Sequence, residues 1–309
     1  MALAYAPGKV ILFGEHAVVY GRPAIAVPVS EVRAQALVER SPTRQGVVLV
    51  APDVGRRIEL REASEKDPLA RTVRIVLDAL KVERNPDVTI TITSTVPIAR
   101  GMGSGAAVST ALVRALAQYF ERWLSSRAIS ELVYQAEVLY HGTPSGIDNT
   151  VVAYEKPIYF VKDEGWEVFW VGKPFLLAIA DTGVESPTRE AVGDLRRRYE
   201  AEPARYTPLF DEVGEIAVSA RSAIEQGQIE MLGQLMKENH TVLQALDMSC
   251  PELDCLVVAA QEGGALGAKL SGAGRGGNII ALVTEEVRGR VGMMLRLAGA
   301  TRVLFTEVR

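Results

Sequence analysis

The order of predicted elements points to an α+β protein built in two lobes. Three observations carry this expectation. The chain has 309 residues, long for one hydrophobic core and comfortable for two. Strands precede helices in its first half, while the second half mixes short apolar strands with amphipathic helices. Three glycine-rich segments, 6–20, 97–107 and 270–278, punctuate the pattern, with no internal repeat and no low-complexity linker.

Taken in order, residues 24–39 are apolar and β-branched with Pro28 as the main breaker, and read as a strand. Residues 46–52 and 57–60 read as two more. Apolar residues at helical spacing over 68–80, closed by Lys81, predict a helix. The strict alternation of 88–96, VTITITSTV, predicts a half-buried strand. A helix of roughly five turns starts at Ala106, by the 3.6-residue period. A second helix covers 130–140 and runs into a turn-rich loop, His141 to Gly146. Order restarts at 147–152, and 157–161 reads as a strand. In the second half, 175–180 and 278–283 are apolar strands, 268–270 a shorter one and 302–307 a last one. Helices are expected over 188–200, 208–225, 228–247, 251–262 and 285–299. The lobe boundary is placed after Trp170, giving lobes 1–170 and 171–309.

Composition narrows the function. Apolar residues make up 48%, charged residues 23%, and the net charge is −4. This is the balance of an ordinary globular protein, with no basic footprint for nucleic acid or an anionic membrane. No apolar run is long enough to span a bilayer, and the N-terminus does not read as a secretion signal, so a cytoplasmic protein is expected. Cys250 and Cys255 have no metal-binding spacing and read as reduced thiols.

The segment from Pro97 to Ala107, PIARGMGSGAA, joins an expected strand to an expected helix. Glycines allow close backbone approach to a ligand, and the helix start offers unpaired N–H groups and the positive end of a dipole. Together these suit a phosphate. The segment is not a Walker A loop. Gly101, Gly103 and Ala106 also fit G-x-G-x-x-A, so a dinucleotide site is an alternative, although helix rather than strand follows.

This segment resembles the second motif of the GHMP kinases, P-x-x-x-G-L-G-S-S-A-A. Residues 6–21, APGKVILFGEHAVVYG, resemble the first, and residues 269–277, KLSGAGRGG, the third. Residues 137–149, EVLYHGTPSGIDN, are similar to the signature of the mevalonate kinases among them. The resemblance implies a two-lobed GHMP kinase fold, with an N-terminal lobe of ribosomal-protein-S5-like type that binds ATP and a ferredoxin-like C-terminal lobe, around an active-site cleft. It implies direct transfer of the ATP γ-phosphoryl group to the 5-hydroxyl of mevalonate, and it allows a homodimer.

The resemblance also distributes roles. Asp148 would take the hydroxyl proton, as a carboxylate in hydrogen-bond reach can. An aspartate after a glycine turn is otherwise a turn residue or helix cap. Lys9, expected at the entry to a strand, would stabilise developing charge. Glu137 would hold Mg²⁺, which prefers hard oxygen ligands. Pro97, Arg100, Gly101, Met102, Gly103, Ser104, Gly105 and Ala106 would cradle the nucleotide, and Glu15, His16, Thr182 and Gly274 would face the acceptor. A histidine can donate to both the carboxylate and the tertiary hydroxyl of mevalonate. The run Arg196, Arg197, Arg198 could supply a cation for the carboxylate, and Arg275 could add charge to the third motif.

Two departures stand out. The family's second serine after G-L-G is Gly105 here, which leaves Ser104 or a water as the further Mg²⁺ ligand. Where many relatives carry paired glycines after the tyrosine, this chain has Glu155 and Lys156. The rival readings are another GHMP kinase acting on phosphomevalonate, a sugar or homoserine, an inactive ligand-binding regulator on the same fold, and a dinucleotide-dependent oxidoreductase.

Overall fold

The computed structural model describes the backbone of all residues except 43, 84, 99, 142–144 and 186–187; the side chains of 139–141 and 188–189 are likewise outside the description. Two compact units result. The first comprises Met1–Gly8, Val32–Pro97 and Gly103–Glu155, and the second Lys9–Glu31, Ile98–Met102 and Lys156–Arg309. They differ from the lobes placed at 170/171, because two long strands, β1 (Ala2–Phe13) and β2 (Ala24–Arg40), contribute to both units.

In the first unit, the later part of β2 pairs antiparallel with β5 (Val88–Ser94), Ala34 opposite Ser94. Parallel to β5 lies β3 (Val48–Ala51), and β4 (Arg56–Glu59) closes that edge. The alternation expected of β5 is real: Val88, Ile90 and Ile92 are buried, and the threonines between them are half-buried. Four helices pack together: α1 (Pro68–Leu80), α2 (Ser104–Tyr119), α3 (Ser126–His141) and α4 (Ile147–Tyr154). α1 is entered through Asp67, whose side chain caps Ala70 N at 3.0 Å, with Pro68 at the first helical position. Its apolar stripe, Val73, Val76, Leu77 and Leu80, is buried, as are Leu112 and Leu116 of α2 and Val133 and Ala136 of α3.

Glu155 ends α4 at φ 53°, a left-handed position that costs any residue but glycine. Its carboxylate pairs with Arg114, and the same guanidinium donates to Tyr5 O at 2.8 Å and Ala153 O at 3.0 Å. The departure from paired glycines is therefore compensated by an arginine that gathers three acceptors.

In the second unit, the first part of β2 pairs with β6 (Ile158–Val161), and β6 with β7 (Gly165–Val168). β7 is exposed along its length, with no apolar alternation to reveal it in the sequence. A four-stranded antiparallel sheet follows, in the order β11 (Arg302–Val308), β8 (Phe175–Asp181), β10 (Asn278–Val283), β9 (Gly267–Ser271). With α8 (Pro251–Glu262) and α9 (Glu285–Leu297) packed on it, this is the ferredoxin-like β-α-β-β-α-β order. Between β8 and α8 come α5 (Thr188–Ala201), α6 (Pro203–Gln226) and α7 (Ile229–Ala245). α6 begins five residues before Pro208, the expected start, and so carries that proline inside its second turn. The central strands β8 and β10 are buried at nearly every residue, as their unbroken apolar runs require.

Register decides what stands at one end of this sheet. Asn278 of β10 lies opposite both Asp181 of β8 and Ser271 of β9. Three polar residues are thus level with one another where the sheet meets the third glycine loop.

Candidate active site

The three polar residues hold other segments of the second unit. Ser271 Oγ donates to Ile11 O of β1 at 2.7 Å, and Asn278 Nδ2 donates to Arg100 O. The Arg100 guanidinium lies 3.6 Å from the Asp181 carboxylate, and its Nη1 is buried without a hydrogen-bond partner among the described residues. The short segment 98–102 is also tied to β1, because Lys9 N donates to Met102 O at 3.0 Å. Lys9 sits within β1 rather than at a strand entry. β1 pairs with β2 and has no second partner strand among the described residues, so Pro7, which lacks an N–H, is tolerated there. The Lys9 side chain is buried, as is Met102.

β1 ends at Phe13; Gly14, Glu15 and His16 follow it and lead into a single 3-10 turn, Ala17–Tyr20. His16 takes φ 62°, and its Nε2 lies 3.0 Å from Ala273 O in the third glycine loop. A carbonyl only accepts, so Nε2 carries the hydrogen. Burial and the nearby cations Arg275, Arg198 and Lys269 bring the ring's pKa down to about 4, against the opposing pull of Ala273. The neutral ring therefore keeps Nδ1 bare. It offers an acceptor, not the two donors expected of it.

Glu15 is more committed still. Its carboxylate is paired with Lys269 of β9, and both side chains are wholly buried. Burial pushes the Glu15 carboxyl up and the Lys269 ammonium down, each against the attraction of the other. Thr182 is drawn into the same loop: its N and Oγ1 both donate to Gly277 O at 2.9 Å, and Val184 N donates to Oγ1 at 3.2 Å. Gly274 has φ 73°, and a Cβ there would stand 1.9 Å from Met248 O, so no side chain fits. Arg275, at φ 58°, donates from Nη1 to Asp194 at 2.6 Å, and its guanidinium holds that carboxyl below the usual range. Arg198 reaches Asp247 at 2.7 Å, and its Nε is buried with no partner among the described residues.

The first unit holds the remaining candidates. Gly103 precedes α2 at φ 70°, so the helix opens at Ser104 with its first N–H groups unpaired by the helix itself. Gly105 is exposed, with nothing within 4 Å of where a Cβ would stand; Ala106 is buried, and Pro97 is half-buried at the end of its segment. Glu137 is a buried carboxylate on α3. Asp148 occupies the first turn of α4, behind Gly146 at φ 90°, where the helix dipole favours negative charge. That turn is fastened to α3, where Asn149 Nδ2 donates to Ser130 O at 3.1 Å and to Ser130 Oγ at 2.9 Å, and it is closed on itself by Thr150 Oγ1, which donates to Gly146 O at 2.7 Å. Ala99, residues 142–144 and the His141 side chain lie outside the described residues.

Known proteins resemble this chain from end to end. Residues 69–156 match the family profile described as GHMP kinases N terminal domain, and residues 220–296 that described as GHMP kinases C terminal. The chain is 33% identical to the mevalonate kinase of Pyrococcus furiosus over 99% of its own length and 96% of the relative's. The chain belongs to the GHMP kinase family. Among solved structures, that of L. major mevalonate kinase in complex with R-mevalonate aligns with this GHMP kinase at a TM-score of 0.85 and 31% identity, covering all of this chain and 96% of that one. A Streptococcus pneumoniae phosphomevalonate kinase shares the fold at a TM-score of 0.85 and 18% identity, covering 100% of both chains.

Two residues of this GHMP kinase make anchoring contacts to which the motif reading gives no role. Asn149 fastens the turn that carries Asp148. Lys269 fastens Glu15. Both had a signal in the sequence: Asn149 follows the candidate base directly, and Lys269 is the one charge between Gly263 and Ser271 in an otherwise apolar and small-residue run.

Proposed function

We propose that this GHMP kinase is a mevalonate kinase, transferring the γ-phosphoryl group of ATP to the 5-hydroxyl of mevalonate. The observation that carries the reading is the likeness, at 31–33% identity over the full chain, to mevalonate kinases that include one with R-mevalonate bound. In this reading Asp148 accepts the proton of the 5-hydroxyl. The freed oxygen electron pair forms the new bond to the γ-phosphorus, and the bond to the leaving ADP oxygen breaks. Positioning and charge neutralisation do most of the work in such a transfer. Lys9 supplies a cation for the developing charge. The start of α2, with Ser104, Gly105 and Ala106, receives phosphate oxygens on its N–H groups.

Mg²⁺ fits the donor set of the first unit, where Glu137 offers a buried carboxylate and Ser104 a hydroxyl, both hard oxygen ligands. When bound, the ion would neutralise phosphate charge. For the acceptor, the bare Nδ1 of neutral His16 suits a hydroxyl donor, and the buried Nε of Arg198, which has no partner among the described residues, suits a carboxylate oxygen.

The test is ADP release from Mg·ATP with mevalonate, phosphomevalonate, galactose and homoserine offered separately, and Asp148→Asn run beside the parent. We expect release with mevalonate alone, and a loss of at least about 100-fold in kcat in the variant, the usual scale of a lost general base. Release with another acceptor in place of mevalonate would overturn the substrate, and an active Asp148→Asn the base.

A further inference from the structure

Lys269 stands in β9 two residues before the strand ends at Ser271 and the third glycine loop begins, with none of its side chain exposed. Its Nζ meets Glu15 Oε1 and donates to Leu270 O at 2.8 Å, and the ammonium lies 5.8 Å from the centre of the Phe13 ring. A buried ammonium persists only where partners replace its water, and a buried carboxylate likewise. Here each is the other's counter-ion. The second carboxylate oxygen, Glu15 Oε2, is buried with no hydrogen-bond partner among the described residues, so Lys269 carries the largest share of the electrostatic burden, with a smaller one from Lys9.

The pair sits amid the contacts that join the first motif to the third. Ser271 binds Ile11 on one side of it, and His16 binds Ala273 on the other. His16 holds a strained backbone conformation, φ 62° with ψ −48°, which persists only where the surroundings over-determine it. The side chain of its immediate neighbour Glu15 is held by Lys269, while Ala17 N donates to Glu15 O at 2.7 Å. The loop-bearing strand β9 is in turn fixed by Leu270 N, which donates to His240 Nδ1 at 3.4 Å on α7.

We propose that Lys269 is a positioning residue for phosphoryl transfer: its buried ion pair with Glu15 locks the His16 corner against the third glycine loop, so that one salt bridge sets two walls of the acceptor's surroundings. Lys269 does not touch the acceptor; it acts through Glu15. The inference deepens the mevalonate kinase reading and rests on it for the choice of acceptor.

Three variants test it: Lys269→Met, Lys269→Arg, and the charge-free pair Glu15→Gln with Lys269→Met. Lys269→Met strands a buried carboxylate, and its stability is expected to fall. The double variant removes both charges, and its Tm should return to within a few degrees of the parent. The decisive readout is kinetic. In the double variant we expect kcat/KM for the acceptor to fall at least 100-fold while KM for ATP stays within threefold, and Lys269→Arg to recover part of the lost activity. A double variant that regains both Tm and acceptor kinetics would overturn the proposal, since the pair would then serve stability alone. Should the double variant not fold, Lys269→Met assayed well below its own Tm decides: a fall in acceptor kcat/KM with KM for ATP unchanged supports the lock, and parental acceptor kinetics overturn it. The parent is assayed first with the acceptor panel above. If another acceptor is used instead of mevalonate, the substrate reading fails, and the same comparison with that acceptor still judges Lys269.

Discussion

A single ring shows how far burial reshapes a residue. His16 lies under the third glycine loop, with Arg275, Arg198 and Lys269 as the cations around it and Glu15 beside it. The unfolded chain takes up a proton at this histidine near pH 6.5, the folded chain only at about 4. Between those values unfolding binds a proton, so stability falls as pH falls through the window. Above 6.5 both states are neutral and the contribution is flat. Fully developed, the penalty at pH 4 is about 3 kcal/mol, at 1.36 kcal/mol for each pH unit of separation. His16→Gln keeps a side-chain N–H donor and removes the titration. Denaturant unfolding of parent and variant from pH 4 to 7 should show the variant's curve shallower by up to that amount, because other titrating groups contribute to both. Parallel curves would mean that the ring titrates alike in the folded and unfolded chain. The same neutrality changes the chemistry available to a ligand, since a ring that spends Nε2 on Ala273 can only accept at Nδ1.

Elements matter here chiefly through their ends. α4 delivers Asp148 because Gly146 lets the chain turn sharply and Asn149 is fastened to Ser130 of α3. α2 delivers its N–H groups because Gly103 turns the chain at its start. At the second residue of α2 the sequence has glycine where relatives have serine, and the structure leaves room for the missing side chain. Gly105→Ser should therefore fold without strain and gain roughly 0.5 kcal/mol from helix propensity. If a second hydroxyl at this position serves the metal, the variant will also reach half-maximal activity at lower Mg²⁺ with ATP held fixed. An unchanged Mg²⁺ dependence would assign that duty to Glu137 and Ser104 alone. Glu155 shows the complementary case at the other end of α4. Glutamate holds a position that favours glycine, and the Arg114 pair offsets the backbone cost.

For the molecule as a whole, periodicity made the elements legible and motif spacing made the candidate residues legible. The alternation of β5, the apolar runs of β8 and β10, and the stripe of α1 each encode burial directly, and each appears where the pattern places it. β7 was illegible because an exposed edge strand needs no apolar alternation, and the start of α6 because proline is a breaker that the helix nonetheless contains. The division into units was illegible for a different reason: β1 and β2 each belong to both, and no local pattern announces that. The same holds for the Lys269–Glu15 pair, whose partners are 254 residues apart in the chain. What composition and motif together left open was the nucleotide, since Gly101, Gly103 and Ala106 satisfy a dinucleotide pattern as well as a triphosphate cradle. Ligand linkage separates the two across the whole fold. A ligand that binds only the folded chain stabilises it by about 2.7 kcal/mol at a hundredfold excess over Kd. For a chain of this length that is a rise in Tm of roughly 5 °C. Mg·ATP without acceptor should produce such a shift, and NADH at equal concentration should not. A shift with NADH and none with Mg·ATP would reverse the assignment of the glycine-rich turn, because only a nucleotide that finds its phosphate site in the folded chain can draw the unfolding equilibrium toward it.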